Sequence, residues 1–161
     1  MSVIDTVESA LVGPSAKALT LLATRVFMGG LIFWWGLVKG LDLGVGQAVS
    51  DRFYGGLFSF DALLIGFGWL QAAAGILVAL GLFRRLVLPF QLVINTFVAL
   101  SVWWTILDPF WLWMPGEKPV EVGHLFYPSA IVAAVSWLLI AFRAEDRLAL
   151  DRLIGLNRDS V

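Results

Sequence analysis

Four long apolar stretches, residues 18–38, 62–83, 86–107 and 125–142, constrain this chain more than any other feature. Each is close to the ~20 residues that a helix rising ~1.5 Å per residue needs to cross the hydrocarbon core of a bilayer. A soluble domain of 161 residues, 60% of them hydrophobic, could not bury so much apolar surface, so the expected solvent is lipid. The expectation is all-α: an integral-membrane four-helix bundle in one transmembrane domain covering 1–161, with amphipathic segments at both termini.

Charge orients these helices. An even number of spans puts the N-terminus, the Arg84–Arg85 connection and the C-terminus on one side. That side and its membrane edge hold eight basic residues: Lys17, Arg25, Arg84, Arg85, Arg143, Arg147, Arg152 and Arg158. The other side holds three, Lys39, Arg52 and Lys118. Such a bias predicts an N-in, C-in, multi-pass protein of the bacterial cytoplasmic (inner) membrane. The first span is a poor signal peptide, because Asp5 and Glu8 precede it where a basic run is needed and because it is too long. A net charge of −1 argues against nucleic acid as a partner. The chain has no cysteine, which excludes disulfides, thiol redox chemistry and iron–sulfur clusters built on its own residues.

Local patterns fill in the connections. Val3, Ile4, Val7 and Leu11 fall near one helical face and Gly13-Pro14 ends it, which predicts a short helix on the cytoplasmic surface. Residues 40–61, rich in glycine and aromatics, read as an outer loop at the headgroup level, with room for a short re-entrant piece. Gly68, Ala72, Gly75 and Ala79 form a stripe of small residues along the second span, where another helix can approach closely. The tight turn at Arg84-Arg85 predicts that spans two and three are antiparallel neighbours. Prolines at 109, 115 and 119 argue against a continuous helix in the second outer loop. The tail from Arg143 reads as a charged helix with Leu150, Leu153 and Ile154 on one side and an Arg147–Asp151 pair at i, i+4.

Polar residues inside the apolar stretches need partners, because unsatisfied groups are expensive in lipid. Arg25 lies about two turns into the first span, and no Asp or Glu lies within any span to neutralise it. Two readings stand: the guanidinium snorkels to the cytoplasmic headgroups, or it holds an anion or a polarised carbonyl such as a quinone oxygen or lipid phosphate. Gln91 and Asn95 share a face of span three, Gln71 sits near the middle of span two, and Ser136 lies about two turns from the cytoplasmic end of span four. Together with Arg25 they are expected to form a polar cluster that contacts quinone or lipid; interhelical glue is the competing reading for Gln91 and Asn95. Six of the eight tryptophans, Trp34, Trp35, Trp103, Trp104, Trp111 and Trp113, sit at or beyond the outer ends of spans one and three. With Lys39 and His124 they make either an anchoring belt or an outer docking surface. His124 is the only histidine, so no metal site is expected, and no catalytic set of residues is recognisable.

Arg25-Val26-Phe27-Met28-Gly29, then Phe33, Gly36 and Lys39, resemble the first-helix signature of the DoxX family of four-span bacterial membrane proteins. Gln71, Gly75 and the run Ala79-Leu80-Gly81-Leu82-Phe83-Arg84 resemble its second-helix signature; where this chain has Gln71 the family often has glutamate. The resemblance implies a membrane subunit or anchor of an oxidoreductase system, partnered by membrane lipids and a periplasmic or membrane redox protein. A chain without cysteine and with one histidine can hold a quinone but carries no redox centre of its own, so no covalent cofactor is expected, quinone is the candidate ligand, and a homo-oligomer is left open. A non-catalytic scaffold that binds a partner through the outer aromatic loops is the alternative, and a small-molecule carrier stands third.

Overall fold

Ser2 opens the first helix with a reciprocal cap: its hydroxyl accepts from the Asp5 amide at 3.2 Å, and its own amide donates to the Asp5 carboxylate at 2.7 Å. The computed structural model describes residues 2–103, 107 and 122–156, and among them every regular element is a helix. In chain order these are α1 (Val3–Val12), α2 (Pro14–Leu41), α3 (Leu43–Tyr54), α4 (Asp61–Leu80), α5 (Arg84–Ser101), α6 (Val122–Ala141) and the single turn α7 (Leu150–Leu153). Gly13 separates α1 from α2 in extended backbone, and Pro14 occupies the first turn of α2, where its missing N–H costs nothing. The amphipathic helix expected at the N-terminus is therefore present. By length and composition α2 and α4 are each able to cross a membrane; the described apolar part of α6, Tyr127–Ala141, is shorter.

The closest packing joins α2 to α4. Gly29 lies against Gly75 and Ala79, and Gly36 against Gly68 and Ala72, so the two helices run antiparallel. A Cβ built on Gly36 would stand 2.6 Å from the Gly68 carbonyl oxygen, and one on Gly75 would stand 2.6 Å from that of Gly29. Only glycine allows backbones this near. The small-residue stripe of the second span is thus a packing face, and its partner is the Gly29–Gly36–Gly40 face of α2.

The second antiparallel pair is α5 with α6, and α4 meets α5 far less extensively than it meets α2. Between the pairs lies a common apolar core of Leu21, Met28, Ile32, Ala74, Val78, Val87, Leu88, Val132 and Leu139. Outward-facing side chains are also apolar: Phe27 and Trp34 on α2, Ile76 on α4, Val93 and Phe97 on α5, and Ile131 and Trp137 on α6 are all exposed.

Two segments differ from the sequence reading. Most of the first outer loop is helix α3. Its start is capped by Asp42, whose carboxylate accepts from the Gly44 amide at 3.1 Å, and Gly55 ends it in the left-handed conformation. The helix docks on the end of α5, where Val49 and Phe53 cover Val102 and Tyr54 is hydrogen-bonded to Ser101. Burial there pushes the Tyr54 phenol above its usual pKa, and the Ser101 bond partly offsets this. The C-terminal tail, expected as one charged helix, instead makes turns after α6 and only the short α7. Asp151 does not serve an Arg147 pair on a solvated face: it is fully buried and bound to Arg84.

Candidate functional site

At one end of the bundle four charged side chains are completely enclosed: Arg25, Arg84, Asp146 and Asp151 are each at most 1% exposed. The turn that ends α4 makes room for them. Gly81 takes φ +69°, and the amides of Gly81 and Leu82 fold back onto the carbonyls of Leu77 and Val78. A side chain at Gly81 would collide with the Arg25 guanidinium and the Ala149 methyl group, so both conformation and space require glycine.

The charges are placed by the helix ends. Arg25 Nη1 donates to the Ala79 carbonyl at 3.0 Å, satisfying an acceptor that the last turn of α4 leaves open, and Nε pairs with Asp146 Oδ2 at 2.8 Å. Asp151 faces the start of α5. Its Oδ1 receives Arg84 Nε at 2.8 Å and Nη2 at 2.7 Å, and its Oδ2 lies 3.4 Å from the Arg84 amide. A carboxylate at a helix N-terminus and a guanidinium at a helix C-terminus both complement the helix dipole. Arg84 Nη1 completes the link, at 3.3 Å from Asp146 Oδ2 and 3.1 Å from the Arg143 carbonyl. Four atoms of this network, Arg25 Nε and Nη2, Arg84 Nη2 and Asp146 Oδ1, make no well-aligned hydrogen bond among the described residues, although Arg25 Nε and Arg84 Nη2 each stand within ion-pair distance of a carboxylate.

This arrangement corrects the premise on which Arg25 was read as a ligand donor. Its partner is a carboxylate as well as a neutral carbonyl, and the guanidinium neither snorkels nor joins the amides. Asp146 and Asp151 do not stand out in the sequence because they lie past the last apolar stretch, in the segment that reads as a charged helix. The need of a buried arginine for an acid was the available signal, and nothing in the spacing says which acid.

The remaining polar residues are distributed along the bundle. Asn95 Nδ2 donates to Gln91 Oε1 at 3.0 Å and to the Gln91 carbonyl at 2.9 Å, and both side chains are buried on one face of α5. At ~1.5 Å per residue they stand ~10 and ~16 Å along the helix from Arg84. Ser136 is buried and points to the Met28 sulfur at 3.8 Å, across α6 and α2. Gln71 accepts a 2.8 Å hydrogen bond from Lys39 Nζ, which also lies 5.3 Å from the centre of the Phe67 ring. Arg25, Gln71, Gln91, Asn95 and Ser136 are therefore all buried, yet no direct bond joins Arg25 to the others among the described residues.

Of the outer docking residues, Trp34 and Trp103 are exposed, while Trp35 packs partly buried against the core. Lys39 belongs with Gln71 rather than with the tryptophans. Trp104, Trp111 and Trp113 lie outside the described residues, as does the side chain of His124. Comparison with family models, curated proteins and solved structures gave no match.

Proposed function

We propose that this chain is a four-span, DoxX-like protein of the bacterial inner membrane, N-in and C-in. In this reading it is the non-catalytic membrane subunit or anchor of an oxidoreductase system, and Lys39 with Gln71 contacts an oxygen of a quinone or lipid. Support for the membrane setting comes from the lengths of α2 and α4 and from the apolar outer faces of all four long helices. Exposed large side chains such as Val93, Phe97, Ile131 and Trp137 match lipid far better than water.

Lys39 carries the ligand assignment. Arg25 and Arg84 are neutralised by aspartates, whereas no carboxylate among the described residues pairs with Lys39. Its ammonium is drawn back to the neutral amide of Gln71 and onto the Phe67 ring. A cation held this way beside apolar surface has donors left for a carbonyl or phosphate oxygen. The reading is a contact site in a subunit of a larger oxidoreductase system.

The test is mass spectrometry of protein extracted in mild detergent. Wild type should carry quinone or a defined phospholipid; Lys39→Met and Gln71→Leu should fold and lose it. Unchanged ligand content in both variants would rule the site out. It would favour the scaffold reading, which the exposed Trp34 and Trp103 support.

A further inference from the structure

The segment that follows α6 is bound to α2, to α5 and to the turn that ends α4, yet almost nothing apolar attaches it. Of its residues only Asp146, Ala149 and Asp151 are buried, while Leu148, Leu153, Ile154 and Leu156 are exposed. Its anchors are polar: Asp146 to Arg25 of α2, Asp146 and Asp151 to Arg84 of α5, and the Asp151 amide to the Gly81 carbonyl, at 3.1 Å, just past α4. One atom, Asp146 Oδ2, receives both Arg25 and Arg84 and so ties the α2–α4 pair to the α5–α6 pair.

Elsewhere the two pairs are joined less closely. The glycine faces that bring α2 and α4 into backbone contact have no counterpart described between α4 and α5 or between α2 and α6, where the pairs meet through the side chains of the common apolar core. We propose that residues 142–156 form a charge-held clasp that keeps the two helix pairs closed at this end, and whose release lets them part as two intact units. The seam beneath the clasp carries Met28 and Ser136, so release would expose their contact from that side. Asp146 meets Arg25 through Nε alone, whereas Asp151 engages Arg84 through three nitrogens, so the α2 anchor is the weaker of the two.

The absence of native cysteine allows spin labels to be placed at chosen pairs of exposed positions in the full chain. Positions 19 and 148 report the clasp against α2, positions 26 and 93 the distance between the helix pairs, and positions 26 and 80 the distance within the α2–α4 pair. In Asp146→Asn and in the Asp146→Asn/Asp151→Asn double variant, the first two distances should lengthen and broaden. The third should stay at its wild-type value. Asp146→Asn alone should move the 26–93 distance, because its oxygen makes the tie between pairs. Unchanged 19–148 and 26–93 distances in the double variant would overturn the clasp. Broadening of all three distances together would also overturn it, because the segment would then be general cement for the fold.

Discussion

Replacing one oxygen of Asp151 by an amide nitrogen should be among the most damaging small changes this chain can suffer. The Arg84 guanidinium would stay buried, and the start of α5 would lose its carboxylate. Removing one partner of a buried ion pair costs about 3–5 kcal/mol, because the other charge is left uncompensated. Thermal or denaturant unfolding in detergent should show a loss of that order for Asp151→Asn. Lys17→Met, which removes only the exposed 3.7 Å pair with Glu145, should stay within ~1 kcal/mol of wild type. Equal stability of the two variants would mean that the network does not hold the fold. Arg25→Met should likewise destabilise, since it strips Asp146 of its closest partner. The sequence made Arg25 conspicuous, because a guanidinium within an apolar helix must be compensated. Its partner was not legible. Asp151 satisfies the i, i+4 rule with Arg147 just as well on paper, and only the fold back of the tail brings Asp146 and Asp151 to the arginines.

Among the helices, the α2–α4 contact was half legible: the Gly68–Ala72–Gly75–Ala79 stripe has the spacing of one face, but its partner helix does not follow from it. The tight turn pointed to α5 as neighbour, whereas the glycine face of α2 gives closer packing. The consequence is a sharp contrast between glycines. Gly75→Leu should destabilise by 3 kcal/mol or more, about the upper end of core overpacking, because the new side chain would start 2.6 Å from the Gly29 carbonyl. Gly30→Leu, on the same helix as Gly29 but with open space at its Cβ, should be tolerated or mildly stabilising through better helix propensity. Detergent melting curves of the two variants decide the matter, and similar behaviour would refute the assigned faces. Helix α3 escaped the sequence reading because Gly44 and Gly46 weaken its helical signal. Its end signals, Asp42 as N-cap and Gly55 as left-handed terminator, were there to be read.

At the scale of the whole molecule, the ends of the helices sort as an even-span reading requires. Lys17 meets Glu145, and Arg25 and Arg84 meet Asp146, so the start of α2, the α4–α5 turn and the region after α6 share one end. Arg52 and α3 follow the opposite end of α2. That grouping was legible in the count of four apolar stretches, because an even number of antiparallel helices brings the chain back to the end where it began. Sidedness in a membrane is the central claim built on it, and accessibility of single cysteines tests it most directly. Positions 52 and 148 are both exposed, and the chain has no cysteine of its own to confuse the readout. With a membrane-impermeant thiol reagent on spheroplasts, a cysteine at 52 should react at once, and one at 148 only after the membrane is permeabilised. Reaction at 148 in sealed spheroplasts, or equal reaction at both positions, would contradict the N-in, C-in four-span protein.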